Sequence, residues 1–496
     1  MEKLIYTSKP FIMRILYFVL FTFTFCLLTS AFYPLSAQHG DQKYYPETDP
    51  LVLEKLEQWQ DMKFGLLMHW GAYSQWGIVE SWSICAEDEG WCRRKSDNYT
   101  EYIKEYENLK TTFNPVDFDP EKWAEAASNA GMKYVVFTTK HHDGFCMFDS
   151  KYTDYKITDP GCAFSSHEKA NVALEIFDAF RDEGMWAGAY FSKPDWHNED
   201  YWWPNFATPD RNVNYDISKY PDRWESFVEF THNQIMELMS DYGKMDILWL
   251  DGGWVAPMSE EELRERVNKP GYKFIHYQNQ DIRMGELKLK AREKQPGLIV
   301  VDRAVPGPNQ NYLTPENRVP EKMLPYPWES CIIAGGGWSW VPNAKYKSGR
   351  EAIHLLVDIV SKGGNLLFNI APGPDGTWHD EAYELLAEIG NWMDVNNECI
   401  YYTRPLAPYK EGNVCLTGGK DGSVYIIYLG SENENAPPPM ISMTGWFPPE
   451  GSKITALGMG DEEVSWEHNG EGFVLNVPYK MMVKAPCDNA WVFKVE

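Results

Sequence analysis

Residues with the chemistry to bind or activate a substrate stand directly after short apolar runs. In the stretch 134–150, YVVFTTKHHDGFCMFDS, the run leads straight to His141, His142 and Asp143. Imidazole and carboxylate groups exchange hydrogen bonds with hydroxyl groups, transfer protons and ligate metals. The pattern recurs after four other runs, which lead to His69 and Trp70, to Tyr190, to Trp249 and Asp251, and to Asp302 and Arg303. Such a mixture of polar groups and aromatic rings is typical of a pocket for a polar ligand such as a sugar.

Asp251, at the end of the run ILWLD, is the candidate for the reacting group. A carboxylate is costly to bury after such a run unless it has a partner or a task, and it can act as a nucleophile or a base. Retaining glycosidases need two carboxyl groups roughly 5–5.5 Å apart. Glu316 in YLTPEN and Glu329 in YPWES are the candidates for the second group. For Asp251 taken alone, a role as an N-cap or turn residue is an equal alternative.

Two histidines next to an aspartate also raise the alternative of a metal site. Neighbouring residues of a strand point to opposite faces, so we expect that His141 and His142 do not share one ion. The sequence has no HExxH motif, no Cys/His spacing typical of zinc, no Gly-rich dinucleotide fingerprint and no P-loop. We therefore expect no metal and no cofactor. A metal-dependent hydrolase would instead lose its activity when a chelator is added.

Strands and helices must alternate to bring these residues together. Continuous apolar runs predict strands that are covered on both faces, at 64–70, 134–140, 186–192, 247–251, 298–303, 331–335 and 365–370. Helical patterns lie between them, and one begins with Asp119 as N-cap and Pro120 at its first position. The alternation predicts an α/β fold, a (β/α)8-like TIM barrel, with a doubly wound sheet as second choice. In a barrel, the residues that follow the strands meet at one mouth.

From about residue 409 the pattern changes to short strands separated by Gly, Asn, Asp and Pro. This pattern predicts a C-terminal antiparallel β-sandwich. We expect the catalytic barrel over residues 45–405 and the sandwich over residues 406–496.

The first 37 residues are interpreted as a signal peptide. Basic residues precede the run ILYFVLFTFTFCLL (15–28), which is short for a bilayer span, and small residues follow it. We expect cleavage after Ala31 or Ala37, export to the periplasm or out of the cell, and no membrane insertion of the mature chain; an uncleaved anchor is the alternative. Export permits disulfides, so Cys85 and Cys92 are a candidate bridge.

The charge of the chain excludes some classes of partner. A formal net charge of −26 at pH 7 argues against nucleic acid and against an anionic membrane surface. It does not argue against a neutral sugar. Aromatic residues make up 15% of the chain, and their flat faces suit both apolar cores and the C–H faces of sugar rings.

Several blocks, in order between about Leu56 and Tyr402, resemble the α-L-fucosidases of glycoside hydrolase family 29. They are FGLLMHWGAYS (64–74), MKYVVFTTKHHDGFCMFDS (132–150), AGAYFSKPDW (187–196), YGKMDILWLDGGW (242–254), VVDR (300–303), PWESC (327–331) and GGNLLFNIAPGPDG (363–376). KHHDGF together with LWLDG is the most specific pair. The resemblance implies a (β/α) barrel with a C-terminal β-sandwich. It also implies a retaining, exo-acting α-L-fucosidase that removes terminal α-L-fucosyl residues from fucosylated glycans and needs no cofactor.

The resemblance implies a role for each residue that matches a motif. Asp251 corresponds to the nucleophile, and Glu316 is the preferred acid/base, with Glu329 as the alternative. The sugar-binding positions are His69, His141, His142, Tyr190, Trp249 and Arg303, and also Glu80 and Trp82. Where this chain has Glu80 and Trp82, the family usually has a glutamate and a tryptophan next to each other. Here Ser81 stands between the two.

Two other functions remain as alternatives at this point. The first is a retaining glycosidase of related specificity, such as an α-L-galactosidase, whose sugar differs from fucose at C6. The second is a non-catalytic sugar-binding protein, against which the two candidate carboxylates argue. The fucosyl linkage, the aglycone and the oligomeric state are not indicated by the sequence.

Overall fold

The strands predicted from the apolar runs are present in the computed structural model, which describes residues 43–85, 94, 96, 98–268 and 278–496. The predicted signal peptide and Cys92 lie outside these residues, so the leader and the disulfide bridge stay predictions. The central strands are β1 (Phe64–Met68), β2 (Tyr134–Lys140), β3 (Trp186–Ser192), β4 (Ile247–Asp251), β5 (Ile299–Asp302), β6 (Glu329–Ile333) and β7 (Asn365–Asn369).

These seven strands form one curled parallel sheet in the order β5-β4-β3-β2-β1-β7-β6. Nearly all of their residues are buried, as expected for a parallel sheet covered on both faces. The register pairs Ser192 with Asp251 and Leu250 with Asp302. The carboxyl ends of β3, β4 and β5 therefore lie level, and the residues that follow them share one edge of the sheet.

The predicted (β/α)8-like barrel is confirmed in part, because the sheet is a curled, seven-stranded half-barrel. It does not close, since β5 and β6 are not paired in the described part of the chain. The segment 310–317 lies between them instead, with Asn311 N–H donating to Val300 O at 2.9 Å and Glu329 N–H donating to Leu313 O at 2.8 Å. Six prolines occur between residues 303 and 328. Because proline has no N–H to donate, this stretch makes isolated bridges rather than a regular strand.

Helices alternate with the strands, as predicted. They are α1 (Pro50–Met62), α2 (Tyr99–Glu107), α3 (Pro120–Asn129), α4 (Val172–Asp182), α5 (Pro221–Asp241), α6 (Glu260–Val267), α7 (Met284–Lys294), α8 (Gly349–Ser361) and α9 (Asp380–Asn396). Asp119 caps α3, because its carboxylate accepts the Lys122 N–H at 3.0 Å. Within the described ranges, no helix combines the length and the apolar character needed to cross a bilayer.

The elements of the C-terminal region are β8 (Thr403–Glu411), β9 (Val414–Gly419), β10 (Val424–Leu429), β11 (Met440–Met443), β12 (Ile454–Ala456), β13 (Trp466–Asn469), β14 (Gly472–Asn476), α10 (Tyr479–Val483) and β15 (Ala490–Val495). The strands form two antiparallel sheets, in the orders β12-β15-β10-β9-β8 and β11-β14-β13.

The five-stranded sheet is buried on both faces. Ile426 and Trp491 point toward the three-stranded sheet, whereas Ile427 and Val492 join the core cluster of the barrel helices. This alternation is the period of two expected of a strand. Because Lys43–Glu496 form one compact unit, the boundary between residues 405 and 406 stays a prediction.

Glu329 opens β6 at the amino end of the sheet, in the fully buried interior. Its Oε2 accepts the Tyr134 hydroxyl at 2.5 Å, and its Oε1 accepts the Trp249 Nε1–H at 3.4 Å. Burial raises the pKa of this carboxyl to about 7. Glu329 therefore anchors one aromatic residue of β2 and one of β4 below the mouth.

A buried ion pair joins the ends of β2 and β3. Lys140, the last residue of β2, donates to Asp195 Oδ2 at 2.9 Å, and both side chains are almost inaccessible to solvent. Lys140 also donates to Gln234 Oε1 at 3.1 Å. A pair this deeply buried leaves an uncompensated charge when one partner is removed.

We expect Lys140→Met to destabilise the protein by about 3 to 5 kcal/mol, because Asp195 is left buried without its counter-charge. The measurement is the shift in Tm by scanning calorimetry at a fixed scan rate. The matched control is Lys151→Met, which breaks a Lys–Asp contact with Asp241 of the same 2.9 Å length on the exposed surface. Equal shifts for the two variants would contradict the structural importance of the buried pair.

We expect Glu329→Gln to change how stability depends on pH. A carboxyl group whose pKa is raised by folding ionises first in the unfolded chain, so the folded protein loses stability as the pH rises from 4.5 toward about 7. The glutamine variant lacks this loss, and it should gain about 3 kcal/mol relative to the parent over that range. Tm measured across pH checks this, with exposed Glu467→Gln as the control. A constant difference in Tm across the pH range would refute it.

Candidate active site

Asp251 ends β4 at the mouth of the half-barrel, and its carboxylate is fully engaged. Oδ2 accepts the Tyr190 hydroxyl at 2.8 Å, and Oδ1 accepts the Gly252 N–H at 2.7 Å and Arg303 Nη1 at 3.2 Å. Burial alone would raise the pKa of this carboxyl. The Arg303 guanidinium, the nearby His142 and these hydrogen bonds outweigh burial and hold the pKa well below its usual range. Asp251 is therefore an ionised carboxylate with a fixed orientation.

Arg303 connects Asp251 to the second candidate carboxylate. It follows β5 directly, and its Nη2 donates to Glu316 Oε2 while its Nη1 donates to Asp251. The Asp251 and Glu316 side chains are 17% and 31% exposed, so both reach the open mouth. The guanidinium also lies over the Trp249 ring, with 5.3 Å between its Cζ and the ring centre. One largely enclosed cation, whose side chain is 12% exposed, thus holds two acids side by side.

The two candidates for the second acid occupy different levels of the sheet. Glu316 belongs to the segment 310–317 and reaches the mouth, where Arg303 binds it. Glu329 lies at the opposite, amino end of β6, and its oxygens are occupied by Tyr134 and Trp249. Of these two glutamates, Glu316 is the one that shares a hydrogen-bond donor, Arg303, with Asp251.

Aromatic rings and imidazoles line the mouth around Asp251. Tyr190 stacks on Trp249 with ring centres 5.2 Å apart and on His141 at 5.7 Å. His69 lies edge-on to Tyr190 at 5.3 Å. Burial lowers the pKa of His69 to about 4 and that of His142 to about 3, and it lowers the pKa of His141 as well. All three imidazoles are therefore neutral at pH 7.

The expectation that His141 and His142 point to opposite faces is wrong. β2 ends at Lys140, so strand alternation does not extend to these residues, and their ring centres lie 4.2 Å apart. The turn continues to Gly144, which has φ +80°, and a Cβ there would meet Asp195 Oδ1 at 2.2 Å. The turn at Asp143 and Gly144 brings both imidazoles to the mouth.

This proximity reopens the question of a metal ion. Single ligand atoms of His141, His142 and Asp251 lie within 4.8 Å of one another. However, the Asp251 carboxylate already faces the Arg303 guanidinium, whose positive charge would repel a bound cation. The charge of Arg303 thus disfavours a metal ion beside Asp251. A ligand group without a full positive charge meets less repulsion there.

Glu80 and Trp82 come from the turn after β1 and also reach the site. Trp82 lies edge-on to His142 with ring centres 5.3 Å apart. Glu80 is buried, and burial followed by the charges of Glu316 and Asp251 raises the pKa of its carboxyl to about 7. Its Oε2 has no hydrogen-bond partner among the described residues. This buried oxygen is therefore an acceptor without a partner in the described part of the chain.

Three residues that contact the site were given no role from the sequence. Asn369 hydrogen-bonds His69, Ser81 hydrogen-bonds His141, and the Trp338 ring lies 5.2 Å from the His69 ring. Asp251 was identified because residues at the ends of parallel strands meet at one mouth. The same reasoning would have identified Asn369, which ends β7. Ser81 and Trp338 lie in irregular segments and carry no local signal.

Known proteins with similar sequences and structures identify the family of the chain. The family model described as Alpha-L-fucosidase matches residues 32–398. Human plasma alpha-L-fucosidase is 27% identical, covering 91% of this chain and 92% of its own, and rat tissue alpha-L-fucosidase is 28% identical, covering 93% and 95%. The solved structure of alpha-L-fucosidase isoenzyme 1 from Paenibacillus thiaminolyticus has a TM-score of 0.70 at 27% identity, covering 90% of this chain and 99% of its own.

The family match covers well over half of the chain, and the predicted resemblance is thereby confirmed. Members of this family are retaining exo-glycosidases, which confirms the prediction of a glycoside hydrolase with α-L-fucosidase function. The chain belongs to the α-L-fucosidase family, glycoside hydrolase family 29.

Proposed function

We propose that this protein hydrolyses terminal α-L-fucosyl bonds by a double displacement in which Asp251 is the nucleophile and Glu316 is the general acid/base. The observation that carries the proposal is the Arg303 guanidinium, which donates to Asp251 Oδ1 and to Glu316 Oε2 at once. A retaining glycosidase needs two such acids close together at one pocket. Since Glu329 lies below the mouth, Glu316 is the acid that can approach a bond next to Asp251.

In the first step, an Asp251 oxygen attacks the anomeric carbon of the fucosyl ring. The bond from that carbon to the leaving oxygen breaks, and the protonated Glu316 gives its proton to that oxygen. The products are a fucosyl ester on Asp251, a free alcohol and an ionised Glu316. The ionised state of Asp251 that Arg303 stabilises is the state this step requires.

In the second step, Glu316 removes a proton from water as the water oxygen attacks the same carbon. The ester bond breaks, Asp251 leaves as a carboxylate, and L-fucose departs with its original anomeric configuration. Across both steps the negative charge moves from Asp251 to Glu316 and back. Arg303 contacts both carboxylates, so it compensates the charge at either position without moving far.

Specificity for fucose requires an apolar surface for its C6 methyl group. Trp338 packs against an apolar cluster that includes Tyr190 and Trp249, and its ring lies next to His69. We assign this wall of the pocket to the methyl group. A galactoside would place a hydroxyl there without a partner, which disfavours the α-L-galactosidase alternative.

The cellular context of the proposal rests on the amino-terminal sequence. A basic start, a short apolar run and small residues support export to the periplasm or out of the cell. The substrates would then be fucosylated glycans met outside the cytoplasm.

Azide rescue tests both catalytic assignments. We expect Glu316→Ala to lower kcat/KM on an aryl α-L-fucoside by about 10²- to 10⁴-fold, and azide to restore turnover and yield the α-L-fucosyl azide. Asp251→Gly should lose activity by several orders of magnitude and yield the β-L-fucosyl azide, because azide then attacks from the vacated face. NMR of the product identifies the anomer.

Glu321→Ala, an exposed glutamate in the same stretch of chain, is the matched control and should behave as the parent. Azide rescue in Glu329→Ala in place of Glu316→Ala would transfer the acid/base role. Retained turnover in Asp251→Gly would reject the proposed mechanism. Binding of fucose without any hydrolysis by the parent protein would favour the non-catalytic alternative.

A second test concerns the methyl group. We expect Trp338→Ala to lower the ratio of kcat/KM for the aryl α-L-fucoside over the aryl α-L-galactoside by about 10-fold, since one methyl contact is lost. Trp340→Ala is the control, because the Trp340 ring stacks on His379 at 5.2 Å, whereas the Trp338 ring contacts His69. An unchanged ratio in Trp338→Ala would remove Trp338 from the specificity wall.

A further inference from the structure

A buried ion pair joins the two strands on either side of the strand that carries Asp251. Lys193 directly follows β3, Asp302 is the last residue of β5, and Lys193 Nζ donates to Asp302 Oδ1 at 2.5 Å. Both side chains are almost completely buried. Because β4 lies between β3 and β5 in the sheet, the pair crosses the strand that ends in Asp251. The proposed double displacement gives neither Lys193 nor Asp302 a role.

The pair crosses β4 at the level of the reacting carboxylate. The Lys193 N–H donates to the Asp251 backbone oxygen at 3.0 Å, and the Arg303 N–H donates to the Leu250 backbone oxygen at 3.1 Å. The last two residues of β4 are thus hydrogen-bonded to the first residue after β3 on one side and to the first residue after β5 on the other. A change in the spacing of β3 and β5 would therefore move Asp251 and Arg303.

The ion pair lies on the helix-facing side of the sheet, opposite the pocket. Along β5, Val300 belongs to the core cluster of the barrel helices, and Val301 belongs to the cluster in the interior of the half-barrel. Side chains alternate between the two faces of a strand, so Asp302 faces the helices. Along β4, Trp249 belongs to the interior cluster, so Asp251, two residues further, faces the interior. The pair therefore supports the site from behind and does not enter it.

Asp302 also closes the turn that presents Arg303. Its backbone oxygen accepts the Val305 N–H at 3.1 Å, and Ala304 within this turn has a φ of +64°. A residue other than glycine keeps such a backbone only where the surrounding structure holds it. The chain after β4 packs against the same turn, because a Cβ at Gly253 would meet the Arg303 backbone oxygen at 2.9 Å. Holding Asp302 in place therefore holds Arg303 in place.

We propose that Lys193 is a positioning residue whose ion pair with Asp302 holds Asp251 and Arg303 at the spacing that the reaction requires. This inference rests on the proposed function and deepens it. The nucleophile has to meet the anomeric carbon within a narrow range of positions, and a displacement of about 1 Å can lower the rate roughly 100-fold. The sugar has several other contacts at the mouth, so the loss should fall on kcat and not on KM.

Two variants separate this role from stability. Lys193→Met leaves Asp302 buried without a counter-charge, so it should lower Tm as well as kcat. Lys193→Met combined with Asp302→Leu removes both charges and should recover most of the lost Tm, because apolar residues of similar volume can replace a buried ion pair at little cost. Both variants lack the link across β4. We expect kcat on an aryl α-L-fucoside, measured well below the Tm of each variant, to be about 10- to 100-fold lower than in the parent.

The affinity for the sugar shows whether the pocket itself stays intact. We expect the inhibition constant of L-fucose in the double variant to stay within about 3-fold of the parent value, since its contacts at the mouth are unchanged. The matched control is Lys55→Met at the opposite, amino end of β4, where Lys55 of α1 pairs with the largely buried Asp246 at 2.6 Å. Lys55→Met should lower Tm and leave kcat unchanged.

Three results would overturn the inference and leave the proposed function in place. The first is a kcat equal to that of the parent in either Lys193 variant, which would make the ion pair merely structural. The second is an equal loss of kcat in Lys55→Met. The third is an inhibition constant of L-fucose that rises as much as kcat falls. If the parent protein hydrolyses no aryl α-L-fucoside, the proposed function fails, and this inference fails with it.

Discussion

The site depends on one guanidinium, that of Arg303, which holds two carboxylates. Asp251 and Glu316 would repel each other if both were ionised at the mouth without a counter-charge, and burying either one unpaired is strongly unfavourable. Arg303 removes both problems, because each of its terminal nitrogens contacts one acid. The interruption of the sheet between β5 and β6 serves this arrangement. The irregular segment that lies in the gap carries Glu316 to a position that a regular strand hydrogen-bonded on both sides would not offer.

Around this charged centre the pocket consists of neutral groups with fixed directions. Burial keeps the imidazoles of His69, His141 and His142 uncharged, so they act as hydrogen-bonding groups and not as cations that compete with Arg303. Tyr190 links the two parts, since its hydroxyl binds Asp251 and its ring stacks on His141. In the interior of the half-barrel, on the amino-end side of the mouth, Trp249 donates a hydrogen bond to Glu329. Groups that are oriented before the substrate arrives need no reorganisation during the reaction, which favours catalysis.

The sequence by itself determined the elements and most of the residues at the mouth. Continuous apolar runs located all seven strands, because a strand buried on both faces shows no alternation. Asp119 and Pro120 marked the start of α3 because capping is a local interaction. The strand-end rule identified Asp251, His69, His141 and Arg303, since parallel strands deliver the residues that follow them to one edge. These are properties of short stretches of chain, and short stretches can be interpreted without the fold.

Only the tertiary structure decided how these residues are combined. The open sheet depends on how a proline-rich stretch is accommodated between two strands, which no pattern within that stretch reveals. The side-by-side orientation of His141 and His142 depends on where β2 ends, and the shared contact of Arg303 joins residues from separate segments. Ser81 and Asn369 lie far along the chain from the histidines they bind. Hydrogen bonds between distant segments are set by packing and not by local sequence, so the pairing of the acids became visible only in the folded molecule.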